Sequence, residues 1–504
     1  MTNVEKPVQG YKLDSLVSGF IDNPVPLSVD VTGLCHDSRR ARPGDLFVAL
    51  AGHRSHGMRH AEQAVRHGCS AIIYDPAGDG HLFASGIAGI PCIPVEALSQ
   101  KLGFIADRFF GTPSAFLDVI GITGTNGKTS CSHFLVHALS ARATAAVVGT
   151  LGFGAPGALE VTHHTTPDAI EVHRLLARLR GQGVKTVAME ASSHGLVQGR
   201  LNGVRFKGAL YTNFGRDHLD YHGTMEAYLE AKLSLLTWPG LEFAVFNADD
   251  PIADAILRRA PSQLKLIGFS LSERSIESAP VVSAEAVRQD AQGISFRARY
   301  HQQLANVSAP VYGDFNVENL AATLAVLVAL GYGLPEAAEL LKNVQPVPGR
   351  MERFSRLGRT AVVDYAHTPD ALASVLRSLR RHCEGRLWVV FGCGGDRDRG
   401  KRPLMGAVAE ELADVVILTD DNPRFENGDA IIRDILSGCR QNKAATIRNR
   451  REAIVWALER AGAGDIVLIA GKGHEDTQEI QGQKYPFRDR DVVMETLSVL
   501  ELPR

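Results

Sequence analysis

The chain has 504 residues, long enough for about three domains on the usual length relation. Hydrophobic residues make up 45% and charged residues 22%, the balance of an ordinary soluble globular protein. A formal net charge of −2 gives no whole-molecule field toward nucleic acid or an anionic membrane, so neither is an expected partner. The seven cysteines, at 35, 69, 92, 131, 383, 393 and 439, form no C-x-x-C pair, and reduced thiols are expected rather than a disulfide or zinc framework. Met1-Thr2-Asn3-Val4-Glu5-Lys6 is polar and lacks the apolar core of a signal peptide. No apolar run approaches the length that spans a bilayer, and a cytoplasmic location is expected.

Residues 1–110 form the first expected domain, a small α/β layer. Residues 46–50 and 71–74 read as buried strands, and 58–67 as the helix between them. Two polar stretches, His36-Asp37-Ser38-Arg39-Arg40 and Gly52-His53-Arg54-Ser55-His56-Gly57, read by their residues alone as solvated loops. Gly111-Thr112-Pro113-Ser114 carries turn chemistry and marks a boundary.

The second domain, 111–345, opens on Val119-Ile120-Gly121-Ile122-Thr123-Gly124-Thr125-Asn126-Gly127-Lys128-Thr129-Ser130. The pattern predicts a strand, a glycine-rich turn and a helix starting near Lys128. Backbone N–H groups of Gly124, Thr125, Asn126, Gly127 and Ser130, with the helix start, make a cradle for phosphate. Lys128 is the point charge and the Thr129 hydroxyl a candidate Mg²⁺ ligand. The strict Walker spacing fails, because its first glycine falls at Ile122. Further strands are expected at 145–148, 186–189, 209–212 and 243–246, with helical crossovers between them. Residues 264–312 read as an antiparallel annex, and Gly313-Asp314-Phe315-Asn316-Val317-Glu318-Asn319 leads into a long helix.

The third domain, 346–504, begins at Pro346-Val347-Pro348-Gly349-Arg350, which suits a hinge. Strands are expected at 361–363, 387–391, 415–418 and 466–470. Polar clusters follow each of them, where parallel sheets gather their sites.

A phosphate cradle alone admits a kinase, a GTPase or a motor. Glu190, at a strand end, suits Mg²⁺ beside Thr129, and equally an N-cap or surface carboxylate. A lone histidine such as His218 is more often structural, since Mg²⁺ prefers oxygen. Lys232, in a strong helix former, reads by its residues as a solvated helix lysine. The glycine-flanked arginines of 394–402 suit either a solvated turn or an anion-binding loop. Arg424, stiffened by Pro423, suits bidentate capture of a carboxylate.

Together these blocks resemble the Mur ligases over essentially the whole chain. The likeness is carried by residues 121–129, Thr165-Thr166-Pro167-Asp168, 190–200, 216–223, Asp364-Tyr365-Ala366-His367-Thr368-Pro369, 394–403 and 471–476, in family order. The resemblance implies a three-domain α/β architecture: a small N-terminal α/β domain, a central P-loop ATPase domain with a mainly parallel sheet, and a Rossmann-like C-terminal domain. It implies an ATP-dependent, C–N bond-forming ligase that works through an acyl phosphate. Lys128, Glu190, His218 and Lys232 are then the implied catalytic group. Mg²⁺ falls to Thr129, Glu190, His218 and a carbamylated Lys232, and ATP to the loop with Asn319, Arg350 and Asp364.

The resemblance also implies a UDP-N-acetylmuramoyl-dipeptide substrate. Ser38, His53, Arg54 and Ser55 are expected at its UDP end, and Thr165, Thr166, Ser192, Gln198 and Arg200 at the muramoyl-peptide. Asp421-Asn422-Pro423-Arg424 resembles the form in members that add meso-2,6-diaminopimelate. Arg424, Asp421, Asn422, Pro423, Gly471 and Glu475 would hold one end of that amino acid and Arg397 the other carboxylate. With lysine, Arg424 would be left unpaired in a closed site, at a cost of about 2–4 kcal/mol. A monomer is expected.

Overall fold

The computed structural model describes residues 10–21, 28–52, 55–162, 164–272, 274–290, 293–441 and 444–500. His53 and Arg54, expected at the UDP end, lie outside them. The chain divides into two compact units. One comprises Met1–Gly121, Ala143–Lys207 and Thr237–Leu241, and the other Ile122–Arg142, Gly208–Leu236 and Glu242–Arg504.

In the first unit a four-stranded parallel sheet runs in the order Gly33–Cys35, Asp45–Ala49, Ala71–Tyr74, Cys92–Pro94. One face packs Leu46, Val48, Ala71 and Ile73 against the helix Leu98–Phe109. The other packs Phe47, Ala49, Ile72 and Tyr74 against Met58, Ala61 and Ala64. The helix expected at 58–67 is a 3-10 turn, Gly57–His60, that runs into the α-helix Ala61–Arg66. Two further parallel strands, Ala145–Gly149 and Thr186–Glu190, are buried at every residue. A sheet covered on both faces reads as a continuous apolar run, and these sequences do. The helix between them, Ala169–Gly181, is capped by the Asp168 carboxylate, which accepts from Glu171 N.

In the second unit the strands Gly208–Tyr211, Phe243–Asn247, Lys265–Ser270 and Val281–Asp290 pair in parallel, each with the next. The fully antiparallel annex expected over 264–312 therefore begins later. The helix Ile252–Arg259 supplies the crossover that keeps Lys265–Ser270 in the parallel sheet. Only Val281–Asp290, Gly293–Tyr300 and Gln303–Ala309 form the antiparallel meander. The helix Asp314–Ala329 is buried over most of its length and starts earlier than the sequence suggests. Asn316 and Asn319 thus share one helical face, and Asn319 Nδ2 donates to Asn316 Oδ1 at 2.8 Å.

A six-stranded sheet follows, in the order Glu352–Arg356, Arg359–Asp364, Ile466–Ala470, Leu387–Phe391, Val415–Leu418, Ala445–Thr446. All pairs are parallel except the first. Alternate residues enter two cores, with Val362, Leu468, Val389 and Leu418 on one face and Val363, Ile469, Val390 and Ile417 on the other. Its central strands end together at Asp364, Ala470, Phe391 and Leu418, so the four polar loops emerge side by side. Among the described residues no helix is long and apolar enough to cross a membrane. All seven cysteines are free thiols.

An ion pair between the first residues of the helices Arg450–Arg460 and Asp489–Val499, which pack on this sheet, is wholly buried. Arg450 donates through Nε and Nη2 to both Asp489 oxygens at 2.7 Å, and Nη2 also reaches Ala470 O at 2.9 Å. Asp489→Ala leaves that guanidinium uncompensated and is expected to cost about 3–5 kcal/mol, read from the midpoint of urea unfolding.

Candidate active site

The strand Asp118–Thr123 and the helix Lys128–Leu139 flank the phosphate loop as expected. Two glycines set its path. Gly124 has φ +148° and Gly127 +82°. A Cβ at Gly124 would overlap Thr212 Oγ1, and one at Gly127 would lie 2.6 Å from Asn319 Oδ1. The loop is tied to the segment after strand Gly208–Tyr211. Asn126 N donates to Asn213 Oδ1 at 2.8 Å, Thr212 Oγ1 to Asn126 O at 2.6 Å, and Thr125 N to Asn213 O at 2.9 Å. Lys128 Nζ folds back on the loop, 2.8 Å from Gly124 O and 2.9 Å from Thr125 O.

Lys232 is not the solvated lysine its helix suggests. It is 1% exposed, and its Nζ donates to Gly124 O at 2.8 Å. Residues of the phosphate loop cover the helix face that carries it, which helical periodicity alone does not reveal. Burial, and secondarily the Lys128 charge, push its pKa well below the ordinary 10.5, against a smaller pull from Asp217. The Tyr228 ring lies 4.3 Å beneath the amine.

Asp217 stands between two imidazoles, 3.4 Å from His218 Nε2 and 3.7 Å from His367 Nε2. Burial acts to raise its pKa, but His367 and His218 outweigh that and hold the carboxyl well below the usual range. His218 itself has φ +55°, an uncommon backbone state for histidine.

Arg350 donates to Thr129 Oγ1 at 3.2 Å and lies 4.4 Å over the Tyr365 ring. Together with Ser130, Phe134, Tyr312, Asn316 and Met351 it borders a cavity of about 160 Å³. Asp364 fixes the backbone beside it, accepting from Met351 N and Ala366 N at 2.8 Å each. Phe134, Tyr312 and Asn316 were not singled out from the sequence, which carries no signal for a wall built from segments so far apart in the chain.

The loops after the C-terminal strands build a second cavity, of about 230 Å³, to which Arg397, Asp421, Asn422, Arg424, Gly471 and Glu475 all contribute. Asn422 Nδ2 donates to Glu475 Oε2 at 2.8 Å. The fully buried Lys472 bonds both, at 3.0 Å to Asn422 Oδ1 and 2.7 Å to Glu475. Arg402, also fully buried, pairs with Glu426 and Asp434 at 2.9 Å. Gly395 N donates to Asn422 O, and Arg424 Nη1 to Gly395 O at 2.7 Å, which locks the two arginine loops together. Arg424 has φ +52°. The hairpin Thr477–Ile480 and Gln483–Pro486 holds it there: Arg424 N donates to Glu479 O at 3.0 Å, and Gln481 N to Arg424 O at 2.7 Å. The Glu479 carboxylate lies 3.4 Å from Arg424 Nε. Arg424 therefore already has partners, and the expectation that lysine would leave it wholly unpaired is overturned.

In the first unit, Glu190 is 1% exposed and accepts from Thr150 N at 2.9 Å and Thr150 Oγ1 at 3.0 Å. Around it, the Thr165 hydroxyl lies 3.1 Å from Thr150 Oγ1, and Thr166 Oγ1 donates to Glu190 O and accepts from Ser192 N. Arg200 reaches Thr166 O at 2.7 Å and Gln198 Oε1 at 2.9 Å. The unit thus joins Thr165, Thr166, Glu190, Ser192, Gln198 and Arg200 in one bonded group. Ser38 is instead buried against Gln63, at 2.8 Å, and Ser55 is exposed.

Three domain matches cover most of the chain. Residues 30–110 match the Mur ligase family catalytic domain, 122–327 the Mur ligase middle domain, and 349–473 the Mur ligase glutamate ligase domain. The chain belongs to the Mur ligase family. The protein named UDP-N-acetylmuramoyl-L-alanyl-D-glutamate--2,6-diaminopimelate ligase from Alkalilimnicola ehrlichii is 46% identical over 493 residues, 96% of this Mur ligase and 98% of that protein. The protein of the same name from Pseudomonas aeruginosa is 46% identical over 470 residues, 93% and 95% of the two chains. A solved structure of a ligase of that name superposes with a TM-score of 0.68 at 37% identity, covering 97% and 99%. The fold class is that of the family, α/β with mainly parallel sheets, and the family is one of ATP-dependent ligases.

Next to Asn319 in this Mur ligase, Glu318 is pushed up from 4.5 to about 7 by burial, then by Asp249 and Asp250. A raised carboxyl binds more protons folded than unfolded. Its contribution is therefore fully present below 4.5 and lost as pH rises through about 7. Glu318→Gln is expected to flatten that part of the stability–pH curve and to stabilise the protein at pH 8, as measured by urea unfolding across the range.

Proposed function

We propose that this Mur ligase uses ATP to join meso-2,6-diaminopimelate to UDP-N-acetylmuramoyl-L-alanyl-D-glutamate, in cytoplasmic synthesis of the peptidoglycan precursor. The observation that carries the reading is the cavity where Arg397, Arg424, Asn422 and Glu475 converge. Two arginines and a carboxylate in one cavity suit an amino acid with two carboxylates and two ammonium groups. The three-domain division at 110 and 345 is the frame of this proposal.

ATP, when bound, supplies the phosphoryl group that turns the glutamate side-chain carboxylate into an acyl phosphate, which the incoming amine attacks with loss of phosphate. Lys128 and the helix start at 128 screen the negative charge that gathers at that phosphoryl group. Asn319, Arg350 and Asp364 are assigned to the nucleoside. Among the described residues no group of three or more His, Cys, Asp or Glu could hold a metal. The donor set nevertheless fits Mg²⁺ if Lys232 is carbamylated: burial shifts this amine toward its neutral form, the form that reacts with carbon dioxide, and the carbamate is an oxygen ligand. Thr129, His218 and Lys232 are assigned to Mg²⁺, and Glu190 has the same proposed role. Mg²⁺ would neutralise phosphate charge. Asp217 holds His218 in place. Ser38, His53, Arg54 and Ser55 are assigned to the UDP end, and Thr165, Thr166, Ser192, Gln198 and Arg200 to the muramoyl-peptide.

The deciding experiment assays ADP formation with the UDP-muramoyl-dipeptide and a panel of amino acids. ADP should form only when both the dipeptide and meso-diaminopimelate are present, and L-lysine should support far less. Comparable turnover with L-lysine would refute the assignment, and ATP hydrolysis without either substrate would point to a nucleotide switch. Lys232→Ala is expected to abolish ligation, with partial recovery in added short-chain carboxylates; full activity of the variant would exclude the carbamate.

A further inference from the structure

The charged groups around the amino-acid cavity pair off unequally. Glu475 is held by Lys472 at 2.7 Å, and Glu426 by Arg402 and Arg399 at 2.9 Å each. Among the described residues Arg397 has no carboxylate within 4.0 Å, and its Nη1 reaches only the Asp396 carbonyl, at 3.1 Å. Arg424, by contrast, carries a resident counter-ion in the Glu479 carboxylate, 3.4 Å from Nε, with the two side chains 20% and 26% exposed. Arg424 lines the cavity, and Glu479, which pairs with it, is not among the lining residues.

We propose that Glu479 is a specificity-determining residue: its carboxylate partly neutralises Arg424 and thereby narrows the preference for an amino acid with a distal carboxylate. This rests on the reading of the cavity given above. Two effects act in the same direction. An amino acid without the distal carboxylate leaves Arg424 beside Glu479 and Gly395 O rather than bare, so its rejection is weakened. A distal carboxylate docking on Arg424 meets a second negative charge nearby, so its attraction is weakened too.

A purely structural role is separable, because the backbone of Glu479 does that work. Glu479 O accepts from Arg424 N, and Glu479 N donates to Asn422 Oδ1 at 2.9 Å. Glu479→Gln keeps both bonds and the side-chain volume. If the carboxylate served to aim Arg424, its loss would weaken selection rather than sharpen it.

The test compares steady-state kinetics of the full-length wild type, Glu479→Gln and Glu479→Ala with meso-diaminopimelate and L-lysine. The ratio of kcat/KM for meso-diaminopimelate over L-lysine should rise about two- to fivefold, the range of a partly exposed ion pair. The rise should come from a lower KM for meso-diaminopimelate and a higher one for L-lysine, with KM for ATP unmoved. In an Arg424→Met background the Glu479→Gln change should leave the ratio where it is. An unchanged or falling ratio in both variants overturns the inference, as does an equal shift in the Arg424→Met background. Wild-type protein that forms no ADP with meso-diaminopimelate overturns the reading of the cavity itself, and this inference with it.

Discussion

Two backbone positions without side chains hold the phosphate site together. Gly124 and Gly127 lie so near Thr212 and Asn319 that no Cβ fits. That closeness brings three separate segments to the loop: the turn after Gly208–Tyr211, the helix Met225–Leu233 with Lys232, and the helix Asp314–Ala329 with Asn319. The burial of the Lys232 amine follows from it, since the Gly124 carbonyl is its acceptor. A buried amine is costly in any protein, and its persistence at a phosphate loop sets it apart from an ordinary helix lysine.

The C-terminal part of the chain solves a different problem, how to gather many charges without mutual repulsion. The parallel order of its strands brings four loop ends side by side. Buried Arg402 and Lys472 then neutralise Glu426 and Glu475 from below. Because these cations are buried and paired, they act as fixed props, while Arg397 and the partly paired Arg424 line the cavity.

The strands were legible in the sequence because buried parallel strands are unbroken apolar runs. Residues 71–74, 387–391, 415–418 and 466–470 coincide with observed strands to the residue. The start of the helix at Lys128 was equally plain from its glycines. What could not be read locally depends on partners distant in the chain. The burial of Lys232 needs Gly124, 108 positions away, and the parallel placing of Lys265–Ser270 depends on a crossover helix of only eight residues. The Arg424 tetrad suggested an arginine suited to capturing a carboxylate. Nothing in it announced Glu479, whose contact exists only because a hairpin 57 residues from Asn422 folds back beside it.

That hairpin has a consequence for how such specificity can be moved between proteins. Arg424 sits in a left-handed backbone state that an arginine does not choose by itself, and two main-chain bonds from the Thr477–Pro486 ribbon keep it there. The tetrad and the ribbon are therefore one structural unit. Grafting Asp-Asn-Pro-Arg alone into a sister scaffold transfers the guanidinium but not its aim, whereas a one-residue insertion in the ribbon can re-aim it with the tetrad unchanged.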